Sequence, residues 1–280
     1  MLGPGDLVLC GGTLLRRPLR ELVTAAAAGG FRGVTLWPHH VEGALAAGLS
    51  HADVRALFAD HGVAPFELEP VLSWLPPGSL APAVQRLVGP PPGAFFAMAE
   101  AIGAPALLAV DGFGANASRA ALADAFGALC EGASRHGLRV KLEFTPWSAI
   151  PDAAAAWEIV RGAGRDDAGV LIDAWHHFRG ANDLAQIAAL PGARVAGVQL
   201  SDAPAAPSGA PLPQESLHAR RLPGAGSIDL VGLVRALDAI GCRAPLGAEV
   251  FSDAFDALPP EVVGRRVGDA MRALRGRARG

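Results

Sequence analysis

The chain of 280 residues has 18% charged and 51% hydrophobic residues and a formal net charge of −3, which fits one large domain or two small ones that fold without disulfides or a structural metal. Lys141 is the single lysine, and the acidic balance argues against a surface that neutralises a nucleic-acid backbone. No apolar run reaches the roughly 18 residues of a membrane helix, and the N-terminus lacks a signal-peptide pattern. We therefore expect a cytoplasmic protein with a small-molecule substrate and with neither nucleic-acid nor membrane partners; homo-oligomer formation stays open.

Short apolar runs alternate with alanine-rich stretches of helical period along the whole chain. The predicted strands are Leu7–Cys10, Gly33–Leu36, Ala64–Leu68, Ala106–Val110, Arg139–Phe144, Gly169–Asp173, Val195–Leu200 and Leu246–Val250. The predicted helices are Pro18–Ala28, Ala52–His61, Phe95–Ile102, Arg119–His136, Asp152–Gly162, Asn182–Leu190, Leu230–Ile240 and Glu261–Leu274. Eight such units are typical of a (β/α)8 TIM barrel, here a single domain over residues 1–280. An open doubly wound sheet is the alternative.

Two connections are longer than the usual two to six residues of a βα loop. They cover residues 69–93, after the third predicted strand, and residues 201–226, after the seventh. Both leave the carboxyl ends of strands, where the active sites of such barrels lie. We therefore predict that both loops lie over the active-site face.

Four successive apolar strands carry a polar side chain that can bind a cation: Glu143, Asp173, Gln199 and Glu249. If these strands close a barrel, all four can point into its carboxyl-terminal mouth, where three carboxylates repel one another unless a proton or a cation separates them. Oxygen ligands without a thiolate suit Mn²⁺ or Mg²⁺ better than structural zinc. Asp202 is the alternative ligand from the seventh strand, although it should lie past the strand's end.

Three segments carry a resemblance to a known family: residues 171–176 (LIDAWH), 198–202 (VQLSD) and 221–229 (RLPGAGSID). With these motifs the chain resembles the sugar isomerase/epimerase superfamily with the xylose isomerase-like TIM barrel, which includes inosose and dehydroshikimate dehydratases and, more distantly, an apurinic endonuclease. The resemblance implies one Mn²⁺ or Mg²⁺ ion bound by the four strand residues. It also implies that His176 contacts substrate oxygens and that Arg221 binds substrate.

Gln199 departs from this resemblance, because histidine is usual at its position and glutamine is found in some dehydratase-like members. A cation that chelates a carbonyl and its neighbouring hydroxyl acidifies the carbon between them. Glu143 and Glu249 could then exchange a proton with the substrate as acid and base, with His176 as a proton donor. The leading hypothesis is an isomerase or epimerase of a keto-sugar, polyol or related hydroxycarbonyl compound. The alternative is a metal-dependent lyase or dehydratase on the same scaffold, either dehydroshikimate dehydratase-like or acting by β-elimination on an oxidised glycoside, and Gln199 and the tryptophans favour it.

Aromatic residues follow several predicted strands, which indicates a flat apolar wall around the pocket or packing beneath the loops. Trp37, Trp147 and Trp175 are predicted substrate contacts, together with His39, although His40 is an equal candidate. Lys141 shares its strand and its side with Glu143, so its ammonium should point into the barrel as a counter-ion. A Schiff-base lysine is the other interpretation of this residue. A nuclease is disfavoured, because few histidines stand at strand ends and the net charge is negative.

Overall fold

The computed structural model, which describes residues 2–280, closes eight parallel strands into a barrel. The strands are β1 (Leu7–Leu9), β2 (Gly33–Leu36), β3 (Ala64–Val71), β4 (Ala106–Val110), β5 (Arg139–Glu143), β6 (Ala168–Asp173), β7 (Val195–Leu200) and β8 (Leu246–Ala248). Each strand pairs with its successor and β8 pairs with β1. The predicted single-domain (β/α)8 barrel is therefore confirmed, and the open doubly wound sheet is wrong.

Helices surround the barrel and cover its ends. They are α1 (Leu19–Gly29), α2 (Pro38–Ala46), α3 (His51–Asp60), α4 (Pro82–Gln85), α5 (Pro92–Ile102), α6 (Arg119–Ser134), α7 (Ala153–Gly162), α8 (Ala174–Arg179), α9 (Leu184–Ala188), α10 (Leu212–His218), α11 (Leu230–Ala239) and α12 (Pro260–Arg279). Within residues 2–280, no helix is both long enough and apolar enough to pass through a membrane.

The largest differences from the predicted elements lie at the carboxyl-terminal end of the barrel. Strand β3 continues to Val71, beyond the predicted end at Leu68. Helix α2, which was not predicted, begins with Pro38 at its first position, where a proline needs no hydrogen-bond partner. Helix α8, also unpredicted, begins at once after Asp173, whose Oδ1 accepts a bond of 2.7 Å from the His176 amide. The two long connections contain the short helices α4 and α10.

The alternation of side chains along the strands separates two apolar regions. Leu107 and Leu142 belong to the main core, which fills the space between the strands and the helices. Leu108, Val110 and Leu171 form a second, smaller cluster, because alternate residues of a strand face opposite sides of the sheet. This second cluster lies inside the barrel, below and beside the polar residues of its mouth.

Glycines let the last helix pack closely against the first. A Cβ atom added at Gly264 in α12 would lie 1.9 Å from the Ala25 carbonyl oxygen in α1, and one added at Gly268 would lie 2.2 Å from that of Gly29. Real side chains do not fit at such distances, so only glycine permits this approach. The contact between α1 and α12 closes the ring of helices around the barrel.

Candidate active site

A cavity of about 480 Å³ opens at the carboxyl-terminal mouth of the barrel. Residues of β3, β4 and β5, and residues that follow β2, β6 and β8, line it, and both long connections contribute to its walls. Leu72 comes from the connection after β3, and Pro213, Ser216 and Leu217 come from α10 in the connection after β7. The cavity therefore has the position that the sequence predicts for the active site.

Four buried carboxyl groups lie at the barrel mouth, and we call Glu69, Glu143, Asp173 and Glu249 the carboxylate cluster. All of them except Asp173 line the cavity. Gln199 lies beside them: its Nε2 is 3.3 Å from Glu69 Oε2 and 3.3 Å from Glu249 Oε1. The register places it directly opposite Asp173 on the neighbouring strand. The four predicted strand residues are thus brought together, and Glu69 joins them.

Arg220 provides positive charge to the carboxylate cluster. Its Nη1 donates to Asp173 Oδ2 at 2.7 Å and to Glu249 Oε2 at 3.2 Å. Its Nη2 donates to Ser216 Oγ at 2.8 Å and lies 3.4 Å from His176 Nε2, while Nε donates to the Ser216 carbonyl at 2.9 Å. Arg220 is 2% exposed, so these ionic contacts act with little screening by solvent.

Burial and mutual repulsion raise the pKa of three groups in the cluster. Burial, followed by the neighbouring Glu249, raises the pKa of Glu69 and of Glu143 well above the ordinary glutamate value. Burial, reinforced by Asp173 and opposed by Arg220, raises the pKa of Glu249 to about 8. Burial also acts to raise the pKa of Asp173, but the contacts with Arg220 and His176 outweigh it and hold this pKa below the ordinary value.

His176 is neutral in this environment, because burial lowers its pKa to about 4. Its Nε2 is 3.6 Å from Glu143 Oε1, and its ring packs edge-on against Trp147 with the ring centroids 5.1 Å apart. The side chain lines the cavity next to Glu143. A neutral imidazole can either donate a hydrogen bond to a substrate oxygen or ligate a metal ion.

The cluster has the donor atoms that a divalent cation needs. Glu143 Oε1 and Gln199 Oε1 are buried and have no hydrogen-bond partner. Ligand atoms of Glu143, Asp173 and His176 lie within 4.8 Å of one another. Unpartnered buried oxygens are costly in a folded protein, and a hard cation prefers carboxylate and carbonyl oxygens. The residues present therefore fit a divalent metal ion.

Asp202, the alternative ligand, has another role. Its Oδ1 accepts bonds from the backbone amides of Ala203 and Ile228 at 2.9 and 3.0 Å, and its Oδ2 accepts one from Gly224 at 2.9 Å. The carboxylate thus ties the end of the long β7 connection to the barrel. This arrangement leaves Gln199 as the β7 side chain that faces the carboxylate cluster.

The structure brings some of the predicted substrate contacts to the cavity and not others. Trp37 and Trp147 line it. Trp175 is fully buried and packs against Trp147, His176 and the Arg220 guanidinium instead. His39 is exposed with its Nε2 2.7 Å from the Leu15 carbonyl, so the structure does not bring it to the cavity.

Arg221 also lies outside the cavity. Its side chain is exposed and donates only a 3.4 Å bond to the Ala225 carbonyl, whereas the adjacent Arg220 reaches the carboxylate cluster. The backbone explains the difference, because Arg221 pairs in an antiparallel bridge with Asp202 while the Arg220 amide donates to the Phe251 carbonyl. Adjacent residues in extended backbone point to opposite sides.

Two residues of the site were missed by sequence reasoning. Arg220 was missed because the motif alone does not say which of the two adjacent arginines faces inward. Glu69 was missed because the predicted strand ended at Leu68; the alternation of Glu67 and Glu69 in an apolar strand was the available signal. Lys141 lies below the cluster, with its Nζ 2.7 Å from Glu67 Oε2, as the counter-ion interpretation predicts.

Comparisons with known proteins agree with this architecture. The family described as xylose isomerase-like TIM barrel matches residues 23–275. A 3-dehydroshikimate dehydratase from Pseudomonas aeruginosa is 33% identical over 247 residues, which are 86% of this chain and 37% of that protein, so the chain spans less than two fifths of this curated relative.

Solved structures give the same result. A xylose isomerase-like TIM barrel/4-hydroxyphenylpyruvate dioxygenase fusion protein is 26% identical with a TM-score of 0.83, over 99% of this chain and 43% of that chain. The IOLI protein with a bound zinc atom is 18% identical with a TM-score of 0.83, over 96% of this chain and 97% of that chain, and supports the fold alone. The resemblance found in the sequence is thus confirmed, and the chain belongs to the xylose isomerase-like TIM barrel family.

Proposed function

We propose that the protein is a divalent-metal-dependent lyase of the dehydratase type that acts on a hydroxycarbonyl compound. The observation that carries the proposal is the pair of buried, unpartnered oxygens, Glu143 Oε1 and Gln199 Oε1, within a cluster of carboxyl groups at the barrel mouth. The 33% identical relative is named a dehydratase, which supports elimination as the outcome. Gln199, which departs from the histidine usual in the epimerases, supports it as well.

Glu143, Asp173, Gln199 and Glu249 would hold the ion, and their oxygen atoms suit Mn²⁺ or Mg²⁺. Asp173 keeps lone pairs for this purpose, because a carboxylate accepts about four bonds and Arg220 and the His176 amide occupy two. His176 is an additional nitrogen donor at this position. When bound, the cation supplies Lewis-acid polarisation of the substrate carbonyl.

Side chains of the cluster provide the proton transfers. Glu143 is the better placed base, because it lines the cavity, whereas Arg220 binds Glu249 Oε2. Its buried Oε1 would bind the cation, which leaves Oε2 for the proton. Glu143 would take the proton from the carbon next to the carbonyl, and the electron pair of that C–H bond would form the new double bond. The β-hydroxyl then leaves and takes up the proton that Glu143 removed, so that water is released, while the neutral His176 would donate a hydrogen bond to the leaving oxygen.

An isomerase or epimerase is the second candidate, and one observation favours it. Glu143 and Glu249 both line the cavity, from β5 and from the residue that follows β8. Two carboxyl groups can remove a proton from one face of a carbon atom and return one to the other face. The same polarised carbonyl serves both reactions, so the fate of the β-hydroxyl distinguishes them.

The test is a screen of ketoses, inososes, 3-dehydroshikimate and oxidised glycosides with added Mn²⁺ in deuterated water. A conjugated product with ultraviolet absorbance, together with loss of water, is the expected result. Deuterium exchange at the α-carbon without loss of water would favour the isomerase.

Glu143→Gln should reduce kcat by at least about 100-fold, because an amide cannot accept the proton. Glu42→Gln is the matched control, since this exposed glutamate on α2 lies outside the cavity. Retained turnover in Glu143→Gln would remove this residue from the role of base.

A further inference from the structure

One side of the cavity is apolar, and it borders the charged residues that the proposed reaction uses, because Val110 pairs with Glu143 on the neighbouring strand. We call this side the apolar wall; its members come from the ends of β3 and β4 and the residues after them, and are Pro70, Leu72, Leu108, Val110 and Phe113. Leu108 and Val110 are buried and pack with Leu72 in the cluster inside the barrel. The apolar wall is therefore part of the packed interior of the barrel.

Cationic groups are scarce around the cavity. Among the lining residues of the described chain, 2–280, Arg220 is the one arginine or lysine. Its Nε, Nη1 and Nη2 atoms already bind Ser216, Asp173 and Glu249, and its guanidinium lies 4.9 Å from the Phe251 ring centroid and 5.4 Å from that of Trp175. A substrate carboxylate could bind this arginine only by displacing one of these partners within the protein.

The charge already present disfavours a second anion. Five buried carboxyl groups, those of the carboxylate cluster and Glu67, face two buried cations, Arg220 and Lys141. Lys141 is bound to Glu67 at 2.7 Å, lies 4.2 Å from the Phe66 ring centroid and does not line the cavity. Lys141 is paired with Glu67 and Arg220 with Asp173, so neither buried cation is free to bind a substrate anion. An unpaired carboxylate or phosphate in such a site loses its hydration without compensation.

The size of the cavity indicates a substrate larger than its reacting group. A volume of about 480 Å³ lies within the roughly 300–1,000 Å³ of pockets that bury ligands of drug size. The charged residues occupy the floor, so the remaining space is bounded by the apolar wall, Trp37 and Trp147. Flat and aliphatic surfaces of this kind bind apolar groups through the hydrophobic effect.

We infer that the substrate is an uncharged hydroxycarbonyl compound with an apolar substituent, and that the apolar wall binds this substituent. The inference rests on the proposed lyase function for the reacting part of the molecule. It separates this protein from its curated relative, whose name specifies a substrate with a carboxylate, 3-dehydroshikimate.

A matched pair of ligands tests the inference: 3-dehydroshikimate and its methyl ester, which share the reacting ring and differ in charge. Isothermal titration calorimetry of the Mn²⁺-loaded protein measures their binding, and turnover is measured separately by product absorbance. We expect the ester to bind at least about tenfold more tightly than the acid, with the same order in kcat/KM. Equal or tighter binding of the acid, or no binding of either ligand at millimolar concentration, would overturn the inference.

Binding and turnover together distinguish a failure of the proposed substrate class from a failure of the proposed lyase reaction. Tighter binding of the ester without turnover of either compound supports the substrate class and argues against the lyase reaction. Turnover of the acid in preference to the ester supports the lyase reaction and overturns the substrate class.

A charge added to the wall gives a second, independent test. Leu72→Arg should raise the affinity for the acid relative to the ester by about tenfold, because this half-buried position can supply the missing cation. Leu87→Arg is the control, since Leu87 is 63% exposed and lies outside the cavity. If the ratio of the affinities for the acid and the ester is the same in both variants, the apolar wall does not contact the substrate and the inference is contradicted.

Discussion

Replacing Arg220 with methionine should lower the free energy of unfolding of the metal-free protein by about 3–5 kcal/mol at pH 7. The change removes the cation that binds Asp173 at 2.7 Å and Glu249 at 3.2 Å, and both carboxyl groups are buried. Removing one partner of a buried ion pair has a cost of this size, because the other charge stays buried without compensation. Methionine keeps much of the side-chain volume, so a cavity contributes little to the loss.

The pH dependence of this loss follows from Asp173. Contacts with Arg220 and His176 hold the pKa of Asp173 in the folded state below the ordinary value. Asp173 therefore stabilises the folded state at a pH above the ordinary aspartate pKa, and this contribution is lost as the pH falls through the folded-state pKa. Without Arg220 the contribution disappears. The difference in the free energy of unfolding between the wild type and Arg220→Met should therefore be largest at pH 7 and become smaller below about pH 4, where the aspartate of the unfolded chain also binds a proton.

Urea unfolding in the presence of a chelator measures the effect as a shift of the midpoint at an unchanged slope. Arg221→Met is the matched control: its side chain is exposed and makes one 3.4 Å bond, so the expected change is within about 0.5 kcal/mol. Turnover should be lost in Arg220→Met and kept in Arg221→Met. A loss below about 1 kcal/mol for Arg220→Met, or equal losses in the two variants, would refute the role of Arg220 as the counter-ion of the cluster.

Two further variants test other parts of the structure. Because the pKa of Glu249 is raised to about 8, its protonated form favours the folded state, and the free energy of unfolding of the metal-free protein should fall between about pH 5 and pH 8. In urea unfolding, Glu249→Gln should show a smaller fall over this pH range. A fall of the same size as in the wild type would contradict this origin. Gly264→Ala should lower the midpoint of thermal unfolding by several degrees, because its Cβ would lie 1.9 Å from the Ala25 oxygen, whereas Gly276→Ala on the same helix has open space and should raise the midpoint slightly. Equal shifts in the two alanine variants would contradict the close packing of α1 and α12.

The barrel could be predicted from the sequence because parallel strands buried on both faces are nearly continuous apolar runs. The polar residues that interrupt these runs, such as Glu143 and Asp173, mark the mouth for the same reason. The β3 extension was harder to predict. Pro70 argues against a strand from local signals, yet the pairing of Val71 with Ala109 on β4 continues the sheet past it. Glu69 therefore lies in the site rather than in a loop.

The choice between Arg220 and Arg221 lay beyond local sequence reasoning. Both follow the short helix α10, and neither hydrophobic period nor capping distinguishes them. Their directions depend on contacts with distant segments: the bridge of Arg221 to Asp202, and the bond from the Arg220 amide to Phe251. A shift of one residue in extended backbone exchanges the inward and outward side chains. Tertiary contacts thus decide which arginine neutralises the cluster.

Arg220 and a divalent cation would each neutralise a different part of the carboxylate cluster. The guanidinium binds Asp173 and one oxygen of Glu249, but it leaves Glu143 Oε1 and Gln199 Oε1 without a partner. A permanent cation at every carboxylate would remove the basic oxygen that proton abstraction needs. The raised pKa of Glu143, which burial and Glu249 cause, reflects this incomplete neutralisation. The folded protein therefore loses some stability at the carboxyl group of Glu143, which lines the cavity and at which we propose that the reaction begins.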